Sequence, residues 1–101
     1  MVRLVDPYSP PPIRYSEEEE EELLAEAEAI RMAVVNLLEK AASDRISRAE
    51  ALERGENLHH SYQSLVHKID RADIQLYELI EVTLGTVPEF CRLNAAIHAM
   101  N

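Results

Sequence analysis

Residues 16–42 read SEEEEEELLAEAEAIRMAVVNLLEKAA, and this stretch decides the fold class. Leu23, Ala27, Ile30, Val34, Leu37 and Ala41 follow one another in alternating steps of four and three, the spacing of a helix that packs along another helix. Leu24, Val35 and Leu38 widen the apolar stripe on one side, enough to reach more than one neighbour. Ser16 opens the helix, because its hydroxyl can accept a free backbone N–H while Glu19, three residues on, reaches back to complete a capping box. Glu17 to Glu20 lie where the helix dipole favours negative charge; Glu21 and Glu22 lie beyond that help and repel their neighbours.

Working outward, Ala42-Ser43-Asp44-Arg45-Ile46 breaks the pattern and Ser47-Arg48-Ala49-Glu50 has the form of a second capping box. A turn of this length connects antiparallel neighbours. From Leu52 through Leu58, Tyr62, Leu65, Ile69, Ala72, Leu76 and Leu79 the three-and-four spacing continues towards Gly85, which reads as a C-terminal stop. Gly55 weakens this helix without ending it. Thr86-Val87-Pro88-Glu89 then reads as a third cap with proline in the first turn of a short final helix. The expected elements are a proline-rich extended leader over 1–15 and a single helical domain over 16–101, with helices at about 17–42, 47–84 and 87–99.

On these lengths the second helix outruns the first by roughly 12 residues, about 18 Å at 1.5 Å each. The overhang falls near Ala72 to Leu84, and a short helix bearing Phe90, Leu93, Ile97 and Met100 is the right length to cover it. The fold class is therefore all-α: an antiparallel hairpin of two long helices plus a short C-terminal helix, pairing with a second copy into a dimeric bundle. A chain of 101 residues that is 47% hydrophobic gains much by burying a further face.

The net charge of −9 is unevenly spread. Eight glutamates and no base lie between Glu17 and Glu28, and the remaining positions hold eleven acids against ten bases. The rest of the chain is nearly neutral. Nothing provides the basic face that phosphate binding needs; Arg45, Arg48 and Arg54 are interrupted by Asp44, Glu50, Glu53 and Glu56, which argues against nucleic acid. No segment approaches a membrane span, and the first residues lack the apolar run of a signal peptide. With a single cysteine, Cys91, a reducing, cytoplasmic setting is expected.

Motifs for chemistry are sparse. His60 and His67 are about 10 Å apart along a helix axis, too far to share an ion, and no HxxxH or CxxC pattern exists, so no metal or cofactor is expected. Cys91 has no base within reach on its own helix, since His98 is seven residues away, and reads as a packing residue. Pro7-Tyr8-Ser9-Pro10 lacks the basic residue of an SH3 ligand, and Pro11-Pro12-Ile13-Arg14-Tyr15 misses a PPxY motif by one position. The apolar residues of this leader suit docking against the helices.

Lys68-Ile69-Asp70-Arg71-Ala72-Asp73-Ile74-Gln75-Leu76-Tyr77-Glu78-Leu79-Ile80 resembles part of the first helix of the all-helical chorismate mutases. In that family a leucine-arginine pair precedes the Ile-Asp and a further arginine follows the Leu-Leu. Here those positions are Leu65-Val66 and Thr83, so the arginines that would hold the substrate's carboxylates are absent. The resemblance implies a helix but not that activity, and no family is recognised over the whole chain.

Three functional readings remain. The first is a non-enzymatic, homodimeric protein-interaction module. The second is a small acidic chaperone or antitoxin-like regulator that masks a basic partner with Glu21, Glu22, Glu26 and Glu28. The third is an enzyme or ligand carrier with an inter-helix site along His60, Ser64, His67 and Arg71, which share one helical stripe.

Overall fold

A computed structural model describes residues 11–100. Three helices occupy them: α1, Glu17–Ala42; α2, Arg48–Asp70; and α3, Tyr77–His98. No strand occurs among the described residues, and the all-helical expectation holds. The leader assigned to 1–15 lies outside the described residues over its first ten positions.

The α1 stripe read from sequence is the core. Leu23, Ala27, Ile30, Val34, Leu37 and Ala41 are all buried, and all but Ala41 belong to one cluster with Ala51 and Leu65 of α2 and Leu79, Phe90, Leu93 and Ile97 of α3. The Ser16 capping box is complete: the Glu19 N–H donates to Ser16 Oγ at 3.1 Å and the Ser16 N–H to Glu19 Oε1 at 3.0 Å. These hydrogen bonds hold the Glu19 carboxyl below its usual pKa. The second box is half formed. Ser47 Oγ accepts from the Glu50 N–H at 3.1 Å, while the Glu50 carboxylate turns to Arg54 at 2.8 Å.

Between them, α1 closes in a Schellman turn. Asp44 takes a positive φ of 53°, the Arg45 N–H donates to Lys40 O at 2.9 Å, and the chain reverses into α2. The reversal is antiparallel, with Lys68 of α2 opposite Glu26 of α1. Gly55 lies inside α2 without interrupting it, on the side facing Leu93 and Ile97 of α3.

The sequence-derived boundaries fail beyond residue 70. No helix spans 47–84: α2 stops at Asp70, six residues run as a connector from Arg71 to Leu76, and α3 is 22 residues long instead of a short helix over 87–99. The stretch resembling a chorismate mutase helix is thus broken in its middle. Gly85 and Pro88, read as a stop and a first-turn proline, both lie within α3. Pro88 offers no N–H to the Leu84 carbonyl four residues back, so this turn of α3 is short of one helix hydrogen bond.

No overhang exists either. Gln75 sits beside Glu20, so α3 starts level with the beginning of α1 and runs up alongside it, antiparallel to α2. The α1–α3 contact is the most extensive in the molecule and α2–α3 the least. Thr83 and Thr86 are buried on α3, each hydroxyl donating to the carbonyl four residues back, so their polar groups are satisfied.

The connector is held from outside. Ile13 forms an isolated parallel bridge with Ala72: its N–H donates to Arg71 O at 2.8 Å and its carbonyl accepts from the Asp73 N–H at 2.9 Å. Tyr15 Oη donates to Lys68 O at 3.0 Å. Glu20, 4% exposed, accepts the Gln75 N–H at 2.7 Å. This glutamate is a structural brace, not part of a solvated acidic run.

Two outcomes follow for urea denaturation. Glu20→Ala, which leaves the Gln75 N–H without its acceptor, is expected to lower stability by about 1–3 kcal/mol, whereas Glu18→Ala stays within about 0.5 kcal/mol. Asp44→Gly is expected to raise stability by about 0.5–1 kcal/mol, because glycine takes the left-handed turn position without strain.

Candidate interaction surface

The outward side of α3 carries the surface that stands out. Tyr77, Ile80, Leu84, Val87, Cys91 and Ala95 recur in steps of three and four. Tyr77 is 68% exposed, Leu84 65% and Val87 46%; Cys91 and Ala95 are exposed and Ile80 is half-buried. None is charged. A second side of the same helix, roughly a third of a turn round, carries Leu79, Thr83, Phe90, Leu93 and Ile97 and faces the core. An amphipathic helix needs one apolar stripe to dock, and α3 has two. Leu52 of α2, which borders a depression with Phe90, Asn94 and Ile97 of α3, is also exposed, at 45%.

The α2–α3 seam beneath this surface rests on aromatic contacts. Phe90 meets Tyr62 edge-on with centroids 5.2 Å apart and His59 at 5.7 Å, close to perpendicular. Tyr62 Oη donates to Thr83 O at 2.7 Å, and partial burial pushes its hydroxyl pKa up.

The sequence-derived stripe of His60, Ser64, His67 and Arg71 is placed differently. His60, Ser64 and His67 are exposed on the outer face of α2, in a shallow depression shared with Gln63 and Lys68. Arg71 is past the end of α2 as its C-cap, its carbonyl engaged by Ile13. The four do not together line an inter-helix cavity; His60 alone borders a depression of about 470 Å³ between α2 and α3, with His59, Phe90 and Asn94. Among the described residues no group of three His, Cys, Asp or Glu side chains is arranged to hold a metal ion. Of the acidic set, Glu21, Glu22 and Glu28 are exposed, while Glu26 is half-buried and pairs with Lys68 at 3.4 Å. Cys91, expected to be buried or half-buried, is exposed.

A groove of about 370 Å³ lies between α1 and α2, floored by Leu37 and Leu58 and edged by Lys40, Arg54, Asn36 and Asn57. Its arginine is engaged by Glu50. No helix among the described residues is long and apolar enough to cross a membrane.

The spacing of the α3 stripe was legible in the sequence. Reading Gly85 and Pro88 as helix punctuation cut it in two and hid it. Glu20 could not be singled out among six consecutive glutamates, because its distinction is the backbone N–H that the fold brings to it.

The chain matches no family model, no curated protein and no solved structure.

Tyr62→Phe is expected to cost about 0.5–1.5 kcal/mol by loss of the bond to Thr83. The raised tyrosine pKa also fixes a sign: the neutral phenol is favoured by the fold, so its stabilisation is complete below the ordinary tyrosine pKa and is lost as pH rises through the folded value. Alkaline denaturation of the wild type and Tyr62→Phe is expected to show this component in the former only.

Proposed function

We propose that this chain is a non-enzymatic helical interaction module that works as a homodimer, with the outer stripe of α3 as the contact between copies. One observation carries the reading: an uncharged, heptad-spaced apolar stripe faces solvent on a helix whose other side already fills the core. A small domain gains from covering such a stripe, and an identical stripe is the matching surface that a two-fold axis supplies. Antiparallel pairing about Leu84 and Val87 sets Ile80 opposite Cys91 and Tyr77 near Ala95. The exposed thiol suits a reducing compartment such as the cytoplasm. Glu21, Glu22 and Glu28 then serve chiefly to keep the free surface soluble, and the pairing of Glu26 with Lys68 takes one carboxylate away from any patch for a basic partner.

Light scattering with size-exclusion chromatography tests this. The wild type is expected to run as a dimer at micromolar concentration and Leu84→Glu as a monomer with unchanged helical circular dichroism. Cys91 is expected to react with a soluble disulfide reagent severalfold faster in Leu84→Glu than in the wild type. A wild type that stays monomeric, or a Leu84→Glu chain that stays dimeric, overturns the reading.

A further inference from the structure

The connector between α2 and α3 contains the means to be a helix. Lys68 to Leu76 holds neither glycine nor proline, and Leu65, Ile69, Ala72, Leu76, Leu79 and Thr83 keep one helical spacing straight through it. Leu76, at the N-cap of α3, makes no side-chain cap. A continuous helix here would pair the Ala72, Asp73, Ile74 and Gln75 N–H groups with the carbonyls of Lys68, Ile69, Asp70 and Arg71. Four of those eight groups are occupied from elsewhere. Lys68 O takes the Tyr15 hydroxyl, Arg71 O the Ile13 N–H, the Asp73 N–H goes to Ile13 O, and the Gln75 N–H goes to the Glu20 carboxylate. The strap of residues 13–15 and Glu20 thus engage half of the groups that a continuous helix would pair, while the Ala72 N–H turns to Ile69 O at 3.0 Å within the turn itself.

We propose that residues 71–76 are a latched hinge, and that the state the latch holds off is a continuous α2–α3 helix which assembles as an exchanged dimer with a second copy of this chain. Straightening the hinge carries α3 off its own α1. It uncovers Leu79, Phe90, Leu93 and Ile97 on α3 and the matching face of α1, a state that a lone chain cannot sustain in water. A second chain in the same state offers the complementary faces. The α1–α3 contact, the largest in the fold, is then re-formed between chains with the same residues. Ile13 and Glu20 decide between the two forms, because the Asp73 and Gln75 N–H groups that they bind are free only while the connector is not helical.

The test is made in the Leu84→Glu chain, so that association through the outer α3 stripe does not enter the readout. Ile13→Pro removes the N–H that holds Arg71 O, and Asp73→Ala/Gln75→Ala raises helix propensity while leaving the buried contacts in place. Each is expected to increase the dimer association constant by roughly tenfold or more, with a gain in helical circular dichroism. Adding Ile74→Pro, whose N–H makes no hydrogen bond among the described residues, is expected to return both to monomers, because proline cannot continue the helix. If Ile13→Pro fails to fold, Asp73→Ala/Gln75→Ala alone decides. Monomers of unchanged helicity, or dimers indifferent to Ile74→Pro, overturn the proposal. A Leu84→Glu chain that is already dimeric and becomes monomeric with Ile74→Pro would overturn the outer-stripe reading and support this one.

Discussion

Everything downstream of residue 70 depends on how the backbone of the α2–α3 connector is satisfied. A chain leaving a helix in a partly buried place must find partners for the carbonyls and N–H groups that the helix no longer pairs. Here they come from two directions. The extended segment before α1 supplies the Ile13 main chain and the Tyr15 hydroxyl, and the first turn of α1 supplies the Glu20 carboxylate. With those in place, α3 can begin level with α1 and lie along it for nearly its whole length. Without them, the residues from Lys68 to Leu76 have every local reason to stay helical, and α1 would lose its principal neighbour.

That arrangement explains the uneven packing. α1 lies against both other helices, and its small or branched residues Ala27, Val34 and Ala41 are almost fully covered. Packing α3 against α1 brings its threonine-bearing side inward, and Thr83 and Thr86 are accommodated because each bonds within its own helix. The α2–α3 seam is thinner and relies on Phe90 between His59 and Tyr62. It leaves the far side of α3 uncovered, which is why Tyr77, Leu84 and Val87 face water together.

Charge has a smaller role than its sum implies. The six glutamates from Glu17 form one helix start, and they divide by position: Glu19 completes the cap, Glu20 braces the connector from a buried place, and Glu21 and Glu22 face solvent. The four ion pairs among the described residues each have at least one exposed member, and such pairs add little to stability.

By itself the sequence determined that the chain is helical, where α1 starts and ends, and which of its apolar residues are buried. Those are local matters: a serine with a glutamate three residues on makes a cap, and a three-and-four spacing makes a stripe. It could not determine that a second helix stops at Asp70 when Arg71 to Leu76 holds no glycine or proline to break it, nor that Gly85 and Pro88 would be carried inside a third. The tertiary structure decided both, because the partners that make the break affordable lie more than fifty residues away in the chain, at Ile13, Tyr15 and Glu20. The outer stripe of α3 follows from the same decision. Its spacing was always in the sequence, but only the placement of α3 against α1 settles which side is left facing water.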